Sequence, residues 1–269
     1  MRVAIAGSGG RMGQTLIEAV LGTPGFALAG ALEVAASEFI GHDAGERFGR
    51  MTGTTVGADV AVTLRGSDVL IDFTRPAGTL MHVAECARAR VGAVIGTTGL
   101  SEADRRALTE FATTIPIVFA PNMSVGVTVL TRLVEEAARR LGEDYDVEVV
   151  EMHHRHKIDA PSGTALKLGE AAAAALDRDL ETDGVYARHG VTGERKPRSI
   201  GFATLRGGDV VGDHTVIFAG AGERVELTHR ASSRMTFAQG ALRAARFVAA
   251  RRAHGATGMY DMQDVLGLR

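Results

Sequence analysis

The chain has 269 residues, with 30 lysines and arginines against 32 aspartates and glutamates, so its formal net charge is only −2. Such a chain has no overall electrostatic attraction to nucleic acid or to an acidic membrane surface, and any basic function must be local. Cys86 is the only cysteine, which excludes a disulfide within the chain and fits a reducing, cytoplasmic compartment. No apolar stretch reaches the roughly 18 residues of a membrane helix, so a soluble protein of one or two domains is expected.

The first half of the chain alternates between strand and helix patterns. Short apolar runs predict strands at 3–6, 26–32, 69–73, 91–95 and 115–119. Helical spacing predicts helices at 12–21 and 78–90, and Ser101 with Asp104 matches the capping box that begins another helix. Alternation of this kind predicts a Rossmann-type α/β domain, with a parallel sheet covered by helices on both faces.

The pattern changes near residue 125. Helices are predicted at 125–141 and 165–176, with a strand at 147–152 between them, followed by strand-like runs at 199–206, 210–218 and 224–228. Glycine-containing turns separate these three runs, which predicts antiparallel strands and a second domain of α+β type. A last helix is predicted at 237–252, and its periodicity leaves open which of the two domains it joins.

A glycine-rich turn joins the first predicted strand to the first predicted helix: Gly7-Ser8-Gly9-Gly10-Arg11-Met12-Gly13. Glycine permits positive φ and a close approach of the backbone to a pyrophosphate, which a helix N-terminus attracts. The strict G-x-G-x-x-G spacing would need glycine at Met12, and glycine turns are common, so the turn alone is weak evidence. Glu33 ends the second strand, where a Rossmann domain places the acid that binds the adenosine ribose. Together they favour a nucleotide site over a solvated loop.

Two further loops follow predicted strands and are expected to line the same site. They are Gly96-Thr97-Thr98-Gly99 and Ala120-Pro121-Asn122-Met123-Ser124. Ligands of parallel sheets bind at the carboxyl ends of the strands. Taken alone, each loop is equally compatible with an ordinary turn.

The densest group of chemically active side chains lies between residues 151 and 165. It comprises His153, His154, Arg155, His156 and Lys157 after a predicted strand, and Ser162, Gly163 and Thr164 at the start of a helix. Three interpretations compete: a solvated basic loop, a histidine metal site, and an anion pocket with a proton donor. Arg155 and Lys157 would repel a cation, and no ligand-spaced cysteines or carboxylates lie nearby, so no metal is expected. Proton donors beside a helix N-terminus favour the catalytic interpretation.

Cys86 and three isolated histidines are expected to be structural. Cys86 has a helical context with no thiolate-activating neighbourhood. For His189, His214 and His229, among the strands and loops of the second domain, a satisfied or solvated ring is expected. Two other functions stay open at this point: a regulatory module that binds NAD(P) without turnover, and a reductase for a different keto or imino acid.

The motifs of the chain resemble those of the 4-hydroxy-tetrahydrodipicolinate reductase family, also called dihydrodipicolinate reductases. The most specific is the run from His153 to Lys157 followed by Asp159-Ala160-Pro161-Ser162-Gly163-Thr164. Others lie at 10–13, 71–76, 96–99, 121–126, 201–214, 231–237 and 261–266. The resemblance implies NAD(P)H-dependent reduction of 4-hydroxy-tetrahydrodipicolinate to tetrahydrodipicolinate, with loss of water, in lysine and diaminopimelate biosynthesis.

The resemblance also implies a role for each motif residue. At the nucleotide, the pyrophosphate would be held by Gly7, Ser8, Gly9, Gly10, Arg11 and Met12, the ribose by Glu33, and the nicotinamide side by Gly96, Thr97, Thr98, Ala120, Pro121, Asn122 and Met123. In catalysis, His153 would be the acid–base residue and Lys157 a second proton donor. The substrate carboxylates would bind His154, Ser162, Gly163 and Thr164.

The domain boundaries and the assembly follow from the same resemblance. It joins the last helix to the nucleotide domain, so residues 1–124 plus 235–269 would bind the nucleotide and 125–234 would bind substrate. The family is typically tetrameric through the second domain's sheet, so a homotetramer is expected. An apolar sheet face would then be buried between copies, with the candidates Ile200, Phe202, Val216, Phe218, Val225 and Leu227.

Val34 departs from a common family pattern. Many members carry arginine directly after the acid, where it reaches the 2′-phosphate of NADP, whereas valine offers no charge. Glu33 itself would repel that phosphate. Both NADH and NADPH are therefore expected as cofactors, with NADH used at least as well.

Overall fold

The computed structural model describes residues 1–269. They divide into two compact units, of which the first is Met1–Val125 with Arg234–Arg269 and the second is Gly126–Ser233. None of the helices combines the length and apolarity needed to cross a membrane.

The two units are built from strands, α-helices and two single-turn 3₁₀ helices. The strands are β1 (Arg2–Ala6), β2 (Ala27–Leu32), β3 (Val56–Gly57), β4 (Val69–Asp72), β5 (Gly92–Ile95), β6 (Pro116–Phe119), β7 (Asp146–His153), β8 (Gly184–Val185), β9 (Ile200–Arg206), β10 (Gly212–Ala219), β11 (Arg224–Ala231) and β12 (Gly258–Tyr260). The α-helices are α1 (Arg11–Gly22), α2 (Val60–Thr63), α3 (Pro76–Ala89), α4 (Glu102–Phe111), α5 (Val125–Leu141), α6 (Gly163–Ala175), α7 (Leu180–Asp183), α8 (Met235–Ala253) and α9 (Met262–Leu266). The 3₁₀ turns are Glu46–Phe48 and Gly142–Asp144.

The first unit contains a seven-stranded sheet in the order β12-β6-β5-β4-β1-β2-β3. Every pair of neighbours in it is parallel, which confirms the predicted Rossmann-type arrangement. The sequence did not predict β3 and β12, because strands of two and three residues are too short to show a period. The carboxyl ends of the parallel strands share one edge, so the loops after β1, β4, β5 and β6 gather there.

Helices cover both faces of this sheet. One face packs against α1 and α8, and the other packs against α3 and α4. α8 therefore belongs to the first unit, whereas its periodicity alone did not show which of the two domains it joins. Cys86 belongs to α3 and is fully buried in the core, and burial raises the pKa of its thiol, so it is an inert core residue as expected.

The second unit contains a five-stranded mixed sheet in the order β11-β10-β7-β9-β8. β10 is antiparallel to β7 and β11, whereas β7, β9 and β8 are parallel to one another. The expectation of three antiparallel neighbours is therefore wrong for β9, which is separated from β10 by β7. Pairing on both sides of β7 puts Val149 in register with Phe202 and Val216, so one row of apolar side chains is buried together.

One face of the second sheet is covered by α5 and α6 of the same unit. The residues expected to be buried between copies lie on this face, and Ile200, Phe202, Val216 and Phe218 are already buried within the chain. That expectation is therefore wrong for these four, because the unit's own helices occupy the face. Side chains alternate along a strand, so the opposite face is a different set. We call it the open face: Val150, Met152, Ala203, Leu205 and Ile217.

The turn from β1 into α1 requires glycine at two positions. Gly7 has φ +67°, a left-handed conformation that side chains rarely adopt. At Gly13, within α1, an added Cβ would lie 2.0 Å from the carbonyl oxygen of Gly7. Gly22, at the other end of α1, has no atom within 4 Å of the place its Cβ would occupy. The helix can thus pack directly on the turn only while residue 13 has no side chain.

We predict that Gly13→Ala lowers the free energy of unfolding by about 1–3 kcal/mol, the cost of forcing atoms into a filled space. The matched control is Gly22→Ala, which should be neutral or stabilising by up to about 1 kcal/mol because alanine is the better helix former. Urea unfolding followed by circular dichroism measures both variants. Equal stabilities would contradict the close packing of α1 on the turn.

Candidate active site

The glycine turn of the first unit presents free backbone donors at the start of a helix. Gly10 is the N-cap of α1 and provides no side-chain cap, so the first N–H groups of the helix lack a side-chain partner. A 12-residue helix with an uncapped N-terminus attracts an anion such as a pyrophosphate. The residues of the turn therefore fit the phosphates of a nucleotide.

Glu33 lies against the same turn. One carboxylate oxygen accepts the N–H of Gly9 at 2.8 Å, and the other accepts the N–H of Val34 at 3.0 Å. Two backbone donors thus orient the carboxylate at the end of β2, which is the arrangement needed to accept hydrogen bonds from ribose hydroxyls. The Val34 side chain is 70% exposed and leaves room for a larger residue.

The two loops predicted to follow β5 and β6 come together around one cleft of about 340 Å³. Of the predicted residues, those lining it are Met12, Gly96, Thr97, Thr98, Pro121, Asn122 and Met123. Ala120 does not line it but lies buried at the end of β6, where its N–H bonds the carbonyl of Ile95. The cleft also contains residues to which the sequence analysis assigned no role: Phe73, Thr74, Arg234 and Phe237. Their only sequence signal was their membership of the family motifs.

The buried carboxylate of Asp72 is hydrogen-bonded to residues that line this cleft. It is fully buried at the end of β4 and accepts hydrogen bonds from Thr74 Oγ1 at 2.6 Å and from His82 Nδ1 at 2.7 Å. Thr97 Oγ1 lies 3.3 Å from an oxygen of the same carboxylate and 2.7 Å from Thr79 Oγ1. The network ties the loop after β5 to the end of β4.

In the second unit, β7 ends at His153, whose ring is held by a buried carboxylate. His153 Nδ1 lies 2.6 Å from Glu151 Oε2. The same carboxylate accepts Arg206 Nη1 and Nη2 at 2.8 and 2.9 Å and the backbone N–H of Ser162 at 3.0 Å. Burial alone would raise the pKa of Glu151, but these hydrogen bonds outweigh it and lower that pKa, so the carboxylate is ionised.

A second histidine lies beside the first. The ring of His214 meets that of His153 edge-on, with 5.0 Å between centroids, and its Nε2 lies 3.0 Å from Ser162 Oγ. Burial, with the nearby His153, lowers the pKa of His214 to about 4, so it is neutral near pH 7. Burial also lowers the pKa of His153, while the adjacent Glu151 carboxylate opposes that effect by favouring the protonated ring.

The remaining motif residues follow His153 in the segment between β7 and the first turn of α6. Lys157 Nζ forms an ion pair with Asp159 at 2.8 Å, and His154, directly after His153 in the chain, is half-buried. Arg155 and His156 are exposed. Ser162 caps α6 by accepting the N–H of Ala165, so the helix begins at Gly163, two residues before the predicted start. Its first turn therefore presents Gly163 and Thr164 beside the cluster.

This arrangement suits proton transfer to an anionic substrate. A histidine held by an ionised carboxylate moves a proton, while a lysine and the N-terminus of a helix attract carboxylates. The sequence analysis did not identify Glu151 or Arg206 as site residues, and it assigned His214 a structural or solvated role. The alternation that places His214 on the same strand face as Val216 and Phe218 was the signal that could have found it.

Comparisons with solved structures support the fold. The chain is similar to a dipicolinate-bound dihydrodipicolinate reductase from Paenisporosarcina sp. TG-14, with a TM-score of 0.75 over 98% of both chains at 23% identity. It is also similar to a probable dehydrogenase from Thermotoga maritima, with a TM-score of 0.64 over 98% of this chain and 92% of that one at 12% identity. At such identities these likenesses concern the fold alone.

Comparisons of sequence are more specific. The chain is 60% identical over 269 residues to the 4-hydroxy-tetrahydrodipicolinate reductase of Cupriavidus necator, covering 100% of both chains. It is 59% identical to that of Laribacter hongkongensis, over 100% of this chain and 99% of the relative. Family models described as dihydrodipicolinate reductase, N-terminus and C-terminus, match residues 1–123 and 126–266. The resemblance inferred from the motifs is thus confirmed, and the chain belongs to the dihydrodipicolinate reductase family.

Proposed function

We propose that the chain catalyses the NAD(P)H-dependent reduction of 4-hydroxy-tetrahydrodipicolinate to tetrahydrodipicolinate in lysine and diaminopimelate biosynthesis. The reaction adds one hydride and one proton to the substrate and releases one water. The observation that carries the proposal is the pairing of His153 with Glu151 beside Lys157 and the N-terminus of α6. A lone, inert Cys86 is compatible with a cytoplasmic setting, which we include in the proposal.

The first unit would hold the nucleotide. Its pyrophosphate would bind the turn formed by Gly7, Ser8, Gly9, Gly10, Arg11 and Met12, and its ribose would bind Glu33. The nicotinamide would occupy the cleft lined by Gly96, Thr97, Thr98, Pro121, Asn122 and Met123, with Ala120 buried directly after β6. When bound, the reduced nicotinamide supplies the hydride.

The second unit would hold the cyclic dicarboxylate. The first N–H groups of α6, at Gly163 and Thr164, would bind one carboxylate, and Ser162 would contribute by capping this helix end. His154 and Lys157 would add positive or donor groups. His153 would donate the proton that neutralises the charge created by hydride addition.

The kinetic test separates these roles. We predict that His153→Gln lowers kcat by about 10²–10⁴-fold with a smaller change in KM, because proton transfer contributes in the transition state. Lys157→Ala should lower kcat and raise KM, since its charge acts on the substrate before and during reaction. Thr164→Val should mainly raise KM and weaken inhibition by dipicolinate, a planar pyridine dicarboxylate. Nucleotide oxidation with the upstream synthase product measures all three.

NADH binding by the same variants is the control. It should stay unchanged, because the residues proposed to hold the nucleotide belong to the first unit. A near-normal kcat in His153→Gln would refute the acid–base role. Tight NADH binding by wild type without any oxidation in the presence of substrate would instead support a regulatory nucleotide-binding module.

The nucleotide preference rests on Glu33 and Val34. We predict that wild type uses NADH at least as well as NADPH, and that Val34→Arg raises the NADPH-to-NADH ratio of kcat/KM by about tenfold or more, through a charge-assisted bond to the 2′-phosphate. Val62→Arg is the matched control, since Val62 is also an exposed valine of the first unit, 51% exposed in α2. A wild-type efficiency strongly favouring NADPH would count against this assignment.

The open face is the surface that we propose for assembly into a homotetramer. It carries several apolar side chains, among them Leu205, which is 45% exposed. An apolar sheet face of this kind is stabilised by burial against another copy.

We predict that Val150→Glu, which puts a charge on the central strand of the open face, splits the tetramer into smaller species at micromolar concentration. Val191→Glu, in a fully exposed loop, should leave the tetramer intact. Sedimentation velocity measures both. A wild-type chain that sediments as a stable, active monomer would rule out the tetramer altogether.

A further inference from the structure

The carboxylate of Glu151 uses all of its acceptor positions within the second unit. Oε1 accepts Ser162 N–H and Arg206 Nη2, while Oε2 accepts Arg206 Nη1 and His153 Nδ1. An ionised carboxylate offers about four acceptor positions and no donor. The ring nitrogen 2.6 Å from Oε2 must therefore carry the hydrogen of that bond.

The other nitrogen of the His153 ring is in a different situation. Nε2 forms no hydrogen bond within the chain. It is also not one of the fully buried polar atoms without a partner, so it is accessible at the molecular surface. Gly212 of β10 contributes to this opening, because a Cβ there would lie 3.0 Å from Nε2. Nε2 is thus the ring atom that a substrate can approach.

We propose that Glu151, held by Arg206, is the positioning residue that keeps a hydrogen on Nδ1 of His153 and makes Nε2 the atom that transfers the proton. This inference rests on the acid–base role of His153 in the proposed function. In the transfer the Nε2–H bond breaks, the proton moves to the substrate, and the ring becomes neutral with its Nδ1–H still bonded to Glu151. A proton from the bulk solution, the one that the net reaction consumes, then returns to Nε2 between turnovers.

The charged and titratable groups that face this ring act on its protonation in different directions. Glu151 of β7 stabilises the protonated ring, whereas Arg206 of β9 and Lys157 of the following loop oppose it. Lys157 is itself paired with Asp159. His214 of β10 is neutral near pH 7 and so adds no charge beside the ring. The Glu151 carboxylate is the group that favours the protonated ring against these influences.

Glu151→Gln tests the proposal because it preserves shape and removes the charge. We expect kcat to fall by about 10²–10⁴-fold, the range for loss of an orienting carboxylate or of acid catalysis, with less than a roughly threefold change in KM. Without the carboxylate the pKa of His153 falls further. An acid is active below its pKa, so the high-pH decline of kcat/KM should move to lower pH.

Glu143→Gln is the matched control, because Glu143 is another glutamate of the second unit and forms ion pairs with Arg178 and Arg198. Its kcat and pH profile should equal those of wild type. If His153→Gln is inactive but Glu151→Gln behaves like Glu143→Gln, the positioning role is overturned and the proposed function stands. If wild type itself fails to oxidise nucleotide with substrate, the proposed function fails.

A measurement on the native chain covers the case in which Glu151→Gln does not fold, since breaking a buried ion pair is strongly destabilising. Nitrogen-15 NMR of histidine-labelled wild type, with the His153 signals assigned by their loss in His153→Gln, reports the tautomer directly. We expect hydrogen on Nδ1 and none on Nε2 at pH above the pKa of the ring. The reverse tautomer would overturn the inference whatever the kinetics show.

Discussion

The arrangement of strands and helix in the second unit depends on the hydrogen bonds that one buried charge accepts. Glu151 is 1% exposed, and an ionised carboxylate so far from water is tolerated only when its oxygens are fully hydrogen-bonded. Its donors come from three separate places: His153 on its own strand, Arg206 at the end of β9, and the backbone of Ser162 at the start of α6. Satisfying the charge therefore fixes the parallel pairing of β7 with β9 and the position where α6 begins. The same contacts orient His153 and place the helix N-terminus beside it.

The first unit also contains a buried carboxylate, and its hydrogen-bond donors are weaker than those of Glu151. Asp72 is also fully buried at a strand end, but its partners are hydroxyls, one backbone N–H and an imidazole, with no arginine. These partners belong to the segment after β4, to α3 and to the loop after β5, so the carboxylate joins the pieces that surround the proposed nicotinamide cleft. In both units a buried carboxylate thus contacts a candidate binding loop, and the hydrogen bonds that offset the cost of burying it also hold that loop in place.

The two faces of the second sheet have different physical roles. α5 and α6 cover the face that carries Val149, Phe202 and Val216, so its apolar side chains form the core of the unit. The expectation that Phe202 and Val216 are buried between copies was wrong because the hydrophobicity of a strand does not say whether a helix of the same chain covers it. What the chain leaves uncovered is the alternate set of side chains, which includes Val150 and Leu205, and our proposal for assembly uses that set.

Local interactions explain what the sequence by itself determined. The alternating strands and helices, the glycine turn and the capping box of Ser101 and Asp104 all depend on residues a few positions apart, and the structure confirms each of them. The motif around His153 was equally visible, since its residues are consecutive. Only the tertiary structure brought Arg206, 55 residues along the chain, onto the carboxylate beside that histidine, and set the ring of His214 against it. Such contacts depend on which strands pair and in which register. That choice is made by the burial of whole apolar rows and of charges such as Glu151, which no short segment of sequence contains.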